Sequence, residues 1–392
     1  MAKNYKIFFF SMVLISSIGY SQTYSYSHTI GTTGVSGSDN THFNEPRGVA
    51  FDSNGKIYVA DNRNRRIQIF NSDGIYNSTF SSGSGNSDFN FPEDIVIDDS
   101  DNIYIVNDNI QDIHKFNSSF NFVTKISHDG VVGLANDGVV TYAAYFNQHN
   151  IVRFNTNLGI ANTYGSSGSG TFQFDSPVGI EVDASGNIYV ADKGNHRVQI
   201  YDSSFNYIVT LGVTDESGSD NDHFSGPSAV AIDPVNGNIL IMDLNNRRVQ
   251  VFDSSYNYVT TIAGNGSGTG NDQILGGNNM DVDVDSSGNV YISDFLNHRV
   301  QVFTKNVLSV NDVSLKSSVS FYPNPAKDML NFKTDFDTSF ISINNVLGQR
   351  VLETKKQSYN FSLDINGLIQ GLYFIEIKNK DGVKVSRKFI KD

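Results

Sequence analysis

Residues 48–70, GVAFDSNGKIYVADNRNRRIQIF, form a unit whose variants return along most of the chain, and this repetition constrains the fold more than any other property. The unit reads as three short strands separated by two tight turns. The first turn, Asp52-Ser53-Asn54-Gly55, places Asp at its first position and Gly where another residue would be strained. IYVAD leads into the second, Asn62-Arg63-Asn64-Arg65, and RIQIF leaves it. Later copies read DIVIDDSDNIYIVN, GIEVDASGNIYVADKGNHRVQIY, AVAIDPVNGNILIMDLNNRRVQVF and DVDVDSSGNVYISDFLNHRVQVF, with a worn copy near LANDGVVTYAAYFNQHNIVRF. Their closing aromatics (Phe70, Phe116, Phe154, Tyr201, Phe252 and Phe303) recur every forty to fifty residues or so, the period of propeller blades rather than of helical repeats.

The array predicts an all-β fold. Within the first copy, Ile57, Tyr58, Val59 and Ala60 form an apolar run suited to a strand covered on both faces. Ile67 and Ile69 alternate with Arg66 and Gln68, which predicts one packed face and one polar face. The stretch TYSYSHTIGTTGVSGSDNTHFNEP after Gln22 matches YIVTLGVTDESGSDNDHFSGP from Tyr207, a fourth strand with its connecting loop. After Phe303 the last copy has no fourth strand of its own. Tyr24 to Ile30 is therefore expected to complete that blade, giving six blades closed without a covalent bond and with no open sheet edge. Loops between blades are rich in Gly, Ser and Asp, and Phe43, Phe89, Phe174 and Phe224 precede a proline by three residues, as pins for those loops.

Four segments follow. Residues 1–21 read as a signal peptide, with Lys3 and Lys6 before an apolar stretch too short to cross a bilayer, and small residues before Gln22. Residues 22–304 hold the repeats, 305–318 form a linker, and 319–392 form a small β-sandwich of short strands with Gly and Pro turns. No later segment is apolar enough for a transmembrane helix. With 0 Cys, disulfides, thiolate zinc sites and a lipidated cysteine are excluded. From Gln22 to Thr304 there are 32 Asp and Glu against 13 Lys and Arg, whereas Val319 to Asp392 carries 8 against 11. So acidic an array repels a phosphate backbone, which argues against nucleic acid as a partner.

The strings Pro-x-Gly-Val-Ala-x-Asp, Gly-x-Ile-Tyr-Val-Ala-Asp and Asn-x-Arg-Ile/Val-Gln-x-Phe resemble the NHL repeat, with Asn195-His196-Arg197 and Asn297-His298-Arg299 at the namesake positions. Copy two departs from the pattern at Asn107, Ile110 and Asp112, and copy three at Tyr145, Gln148 and Asn150. The C-terminal segment is similar to the type A sorting domain of the type IX secretion system (Por) of Bacteroidetes, through Tyr322-Pro323-Asn324-Pro325, Asn345-Val346-Leu347-Gly348, Gly371-Leu372-Tyr373 and the basic end from Lys384 to Lys391. That resemblance implies export across the outer membrane, with the secretion machinery as partner, and release or attachment at the cell surface.

Asp61, Asn64 and Arg66 form the most repeated polar set, matched by Asp192, Asn195 and Arg197, by Asp243, Asn246 and Arg248, and by Asp294, Asn297 and Arg299. A set present in most blades serves what every blade needs: Asp and Asn hold the hairpin backbone while Arg satisfies buried acceptors. Binding is expected where the copies differ. Ala50 and Ala231 on the first strand give way to Glu181 and Asp283, with Asp94 and Asp281 nearby in register. Carboxylates on an innermost strand are costly unless paired or bound to a cation, so these four are channel candidates for a cation such as Ca²⁺. His196, His298, His42 and His223 belong to repeated turns and loops, whereas His114, His128 and His149 in the worn copies offer three nitrogens for Zn²⁺. No Gly-x-Ser-x-Gly elbow, phosphate loop or His-Glu-x-x-His is present. The expectation is a secreted or surface-displayed platform for a protein, peptide or glycan. Its alternative is a metal-dependent extracellular lyase or hydrolase working in the channel, as in enzymes that the NHL resemblance brings in.

Overall fold

The computed structural model describes residues 23–81, 89–107, 112–127, 129–264, 266–306, 319–334, 338–345, 350–355, 359–379 and 384–392. The signal-peptide expectation, His128, Ile110, Gly348 and most of the linker lie outside them. The chain divides into two compact units, before and after the step from Asn306 to Val307.

The first unit is a β-propeller containing six four-stranded antiparallel sheets. In the first, Pro46–Phe51, Ile57–Asp61, Arg66–Phe70 and Tyr76–Ser81 run outward in chain order. The corresponding innermost strands of the others are Pro92–Ile97, Val131–Asn136, Pro177–Val182, Pro227–Ile232 and Val282–Val284. Each packs beside the next, and the last returns to the first, so the inner strands close a ring.

Closure is made by the strand Thr23–Gly31, which pairs antiparallel with Arg299–Asn306 from Thr23 opposite Asn306 to Gly31 opposite Arg299. Tyr291, Val300 and Val302 of the last blade pack in one core with Val49, Val59 and Phe70 of the first. Each such side chain, fully buried, contributes about 1.5–3 kcal/mol relative to exposure. Lys305 donates to Asp233 of the preceding blade at 2.7 Å. Lys305 and Asn306, the first two residues of the expected linker, find ladder partners in Tyr24 and Thr23.

Turn chemistry sets each blade. Asp52 Oδ1 accepts the N–H groups of Asn54 and Lys56 at 3.0 and 2.8 Å, and Asp98, Asp183 and Asp285 make the same turn in other blades. Much of the acidity of the array is thus spent on capping turns. The second turn is a 3₁₀ turn, Asn62–Asn64, closed by Arg65 in the left-handed region at φ 54°. The pins Phe43, Phe174 and Phe224 are fully buried. Gly31 and Gly212, at φ +94° and +88°, leave room for Phe43 and Phe224, whose ring atoms stand 2.6 and 2.7 Å from where a Cβ would project.

The second unit is a sandwich. A three-stranded sheet (Val319–Tyr322, Met329–Thr334, Asn360–Asp364) faces a four-stranded one ordered Arg350–Thr354, Thr338–Asn345, Gly371–Asn379, Lys384–Lys391. Leu330, Phe332 and Leu363 fill the core against Ile341, Ile343, Ile375 and Phe389. Of the motif residues, Asn324 accepts the N–H of Ile390 through its side chain at 2.9 Å, and Tyr373 donates its hydroxyl to the Ile369 carbonyl at 2.8 Å. Pro323 and Pro325 flank Asn324 just after Tyr322, and Gly371 opens the strand that carries Tyr373.

Candidate functional site

The repeated polar set is a clasp around the loop that leads into each blade. Asp61, fully buried, accepts Asn44 N–H through Oδ1 at 2.7 Å, and Asn64 Nδ2, Arg66 Nε and Gln68 Nε2 through Oδ2 at 2.8, 2.7 and 3.2 Å. The Arg66 guanidinium then donates to the carbonyls of Ser38, Asp39 and His42. Asp192 with Asn195, Arg197 and Gln199 repeats this arrangement, as do Asp243 with Asn246, Arg248 and Gln250, and Asp294 with Asn297, Arg299 and Gln301. Each buried charge is paired and its remaining lone pairs are used, the condition under which such an ion pair is tolerated. The polar face expected for Arg66 and Gln68 is thus covered by the incoming loop, and all of Arg66–Phe70 is buried.

The worn blades lose the clasp for a reason visible in the backbone. Only three residues separate Ser127 from Val131, so the third blade has no incoming loop for an arginine to hold, and Tyr145 and Asn150 stand where Asp and Arg would be. In the second blade Asn107 still accepts Asn90 N–H at 3.1 Å, while Asp112 turns to Lys125 at 2.7 Å and to His114 at 3.4 Å.

Of the three histidines considered for zinc, His114 and His149 have partners within the fold, and His128 lies outside the described residues. His149 sits at the same turn position as His196 and His298, all at positive φ. Their Nδ1 atoms accept backbone N–H groups of Ser176, Gly226 and Glu45 in the next blade, at 3.0, 3.1 and 3.1 Å. His149 is therefore a latch between blades. His114 occupies the clasp-glutamine position, away from it. Among the described residues no three His, Asp or Glu side chains are placed to hold one metal ion. The alignment of Gln148-His149-Asn150 with Asn195-His196-Arg197 was the sequence signal for the latch.

The four channel carboxylates come together on the wall of one cavity of about 490 Å³ along the propeller axis. Asp94 and Asp281 occupy the inner-strand position that is Gly48, Gly133 and Gly179 elsewhere, and Glu181 and Asp283 stand two residues further along, at the Ala50 position. The strands approach so closely at the glycine position that a Cβ on Gly133 would lie 2.1 Å from the Val178 carbonyl oxygen. Asp94 Oδ2 instead reaches across to Leu134 N–H at 2.7 Å, and Asp281 Oδ2 to Val49 N–H at 2.9 Å. Asp283 Oδ1 accepts only the N–H of Val284 next to it, at 2.7 Å.

All four are half-buried, open to the lumen and enclosed by protein on other sides. Loss of hydration in that narrow space pushes the carboxyls of Glu181 and Asp281 up to about 8. It also raises Asp94 and Asp283 well above the usual carboxylate range, and the neighbouring carboxylates add to each shift. Glu181 and Asp281 therefore favour the protonated form near neutral pH.

One end of the cavity is bridged by a network with no counterpart in the repeat pattern. Arg47 pairs with Glu93, Glu93 accepts Asn279 Nδ2 at 3.0 Å, and Lys193 donates to Asn279 Oδ1 at 3.0 Å. Burial lowers Lys193, with Glu93 opposing and Arg47 reinforcing the shift. Arg47 also lies 5.0 Å over the Phe295 ring. These residues come from different blades, so no local pattern marks them as partners.

Fold and clasp together define a β-propeller of repeated blades. The NHL repeat matches at residues 43–70, 174–201 and 281–303, and a secretion system C-terminal sorting domain matches residues 320–392. The chain thus carries NHL repeats and a type IX sorting domain, which directs a protein to the cell surface or the extracellular space. It is 28% identical over 211 residues to a probable peptidyl-alpha-hydroxyglycine alpha-amidating lyase of Caenorhabditis elegans, a match covering 50% of this chain and 58% of that protein. It is 34% identical over 104 residues to a peptidylglycine alpha-amidating monooxygenase of Rattus norvegicus, covering 26% of this chain and 11% of the relative. The matches therefore span less than two thirds of either relative. Among solved structures, a protein of unknown function from Bacteroides thetaiotaomicron aligns at TM-score 0.58 and 17% identity over 73% of this chain and 76% of the other. An auxiliary nutrient binding protein from Bacteroides ovatus aligns at 0.52 and 16%, over 72% and 77%. These likenesses show the fold.

Proposed function

We propose that this chain is an exported binding platform for a protein, peptide or glycan, and that its channel receives a positively charged group of that ligand. The observation that carries the reading is the convergence of Asp94, Glu181, Asp281 and Asp283, the carboxylates that the repeats do not share, on a single cavity. An amine or guanidinium entering the lumen draws protons off these carboxyls, so its binding strengthens as pH rises from 6 towards 9 or so. Titration calorimetry of the purified chain with a basic peptide and with an uncharged analogue, at the two ends of that range, tests the reading. Equal binding of both, or binding unchanged in Glu181→Gln/Asp283→Asn, rejects it.

A second reading, a metal-dependent extracellular lyase or hydrolase, is supported by the sequence match to the nematode lyase over half of the chain. Metal content by mass spectrometry, with melting before and after chelation, separates the two. One tightly held ion per chain whose removal lowers the melting temperature favours the enzyme.

A further inference from the structure

The sorting domain offers a surface that its own fold does not use. Along Gly371–Asn379 the residues Tyr373, Ile375 and Ile377 point into the sandwich, so the alternate residues Leu372, Phe374, Glu376 and Lys378 face outward. On the neighbouring strand Phe389 points inward and Lys388 and Ile390 outward. An outward sheet face normally reads polar, and at one end this one does. There Phe340 is covered by Arg350 and Lys378, whose charged ends lie 5.6 and 5.1 Å from its ring.

At the other end the pattern breaks. Leu372, Phe374 and Ile390 are 40%, 36% and 46% exposed. Leu372 is directly opposite Ile390 in the ladder and Phe374 opposite Lys388, which puts the three apolar side chains within reach of one another on one face. Lys388 lies on their rim, in a domain where 11 Lys and Arg outnumber 8 Asp and Glu.

We propose that Leu372, Phe374 and Ile390, rimmed by Lys388, form the surface by which the secretion machinery grips this domain, through a partner face that is apolar at its centre and acidic at its edge. The inference rests on the sorting role of residues 320–392. A domain whose task is to be recognised needs an exposed feature, and a contiguous apolar patch with a charged rim is what partner surfaces present.

The test follows export of the full chain in a bacterium with a type IX system, alongside melting of the purified variants. Leu372→Gln/Phe374→Gln/Ile390→Gln is expected to stay folded, to accumulate in the periplasm and to lower the surface fraction about tenfold. Lys388→Glu alone lowers it in the same direction, and Met329→Gln, an exposed apolar change on the other sheet, leaves it unchanged. A folded triple variant exported like the wild type overturns the proposal. If the triple variant does not fold, wild-type export of Lys388→Glu overturns it instead. Wild-type self-association that the patch variants abolish while still being exported assigns the surface to a second copy and overturns it as well. A chain lacking 319–392 separates the levels. Normal surface appearance of that chain rejects the sorting role itself, whereas its retention beside exported patch variants rejects only the patch.

Discussion

Asp281 Oδ2 accepts the backbone N–H of Val49 at 2.9 Å, joining the innermost strand of the last blade to that of the first. The bond crosses the seam where the ring closes, beside the lumen. One residue therefore serves both closure and channel charge. Asp281→Ala is expected to lower unfolding free energy by about 1–3 kcal/mol, the cost of leaving a buried N–H without its acceptor. Asp281→Asn keeps an acceptor and is close to neutral at pH 5. Urea unfolding of both variants checks the pair.

Stability should fall as pH rises through the range set by the channel carboxyls. Glu181 titrates at about 8 in the folded chain against the ordinary 4.5, so the folded state holds the proton more tightly than the unfolded one. The stabilisation is complete below the unfolded value and is lost as pH climbs through 8. Glu181→Gln, which cannot ionise, should flatten this decline, gaining on the wild type at pH 9 relative to pH 5. Melting curves across that range decide; identical slopes reject it.

The clasp should be energetically uneven around the ring. Arg248→Met leaves Asp243, which is fully buried, without its cation and leaves the carbonyls of Ser219, Asp220 and His223 short of donors. The expected cost is about 3–5 kcal/mol. Asn150→Ala, at the equivalent place in the blade without an incoming loop, should cost less than about 1 kcal/mol. Guanidinium unfolding of the two variants gives the contrast, and equal costs would sink the assignment of the clasp to that loop.

Gly212→Ala should destabilise through backbone and packing together. Its φ of +88° is strained for an L-residue, and the new Cβ would stand 2.7 Å from Phe224 and 2.8 Å from the His196 carbonyl. A loss of about 1–3 kcal/mol follows from the backbone strain alone. Gly34→Ala, where nothing lies within 4 Å of the new Cβ at φ +72°, isolates the backbone part. The difference in melting temperature between the two measures the packing part.

The blades were legible because their signals are local. Asp52 and Gly55 mark a turn wherever they fall, and the five-residue strands ending in Phe70 or Tyr201 carry their own pattern. The share of Gln68 in the clasp was missed because a polar residue alternating with isoleucine reads as surface until the loop that covers it is in place. The latch made by His149 was not foreseen for the same reason, since its partner, the N–H of Ser176, belongs to the next blade.

By itself the amino-acid sequence determined the repeat, the turns, a closing strand at Tyr24 to Ile30 and the sorting domain, because each depends on residues close in the chain or on a period that can be counted. Only the tertiary structure decided which outliers meet. Asp94, Glu181, Asp281 and Asp283 lie in three different blades and share a cavity only because six inner strands converge on one axis. The Arg47–Glu93 pair and the Lys193–Asn279 bond at the mouth arise in the same way. Ring closure turns residues far apart in sequence into neighbours, and the narrow lumen it creates raises their carboxyls far above the ordinary range.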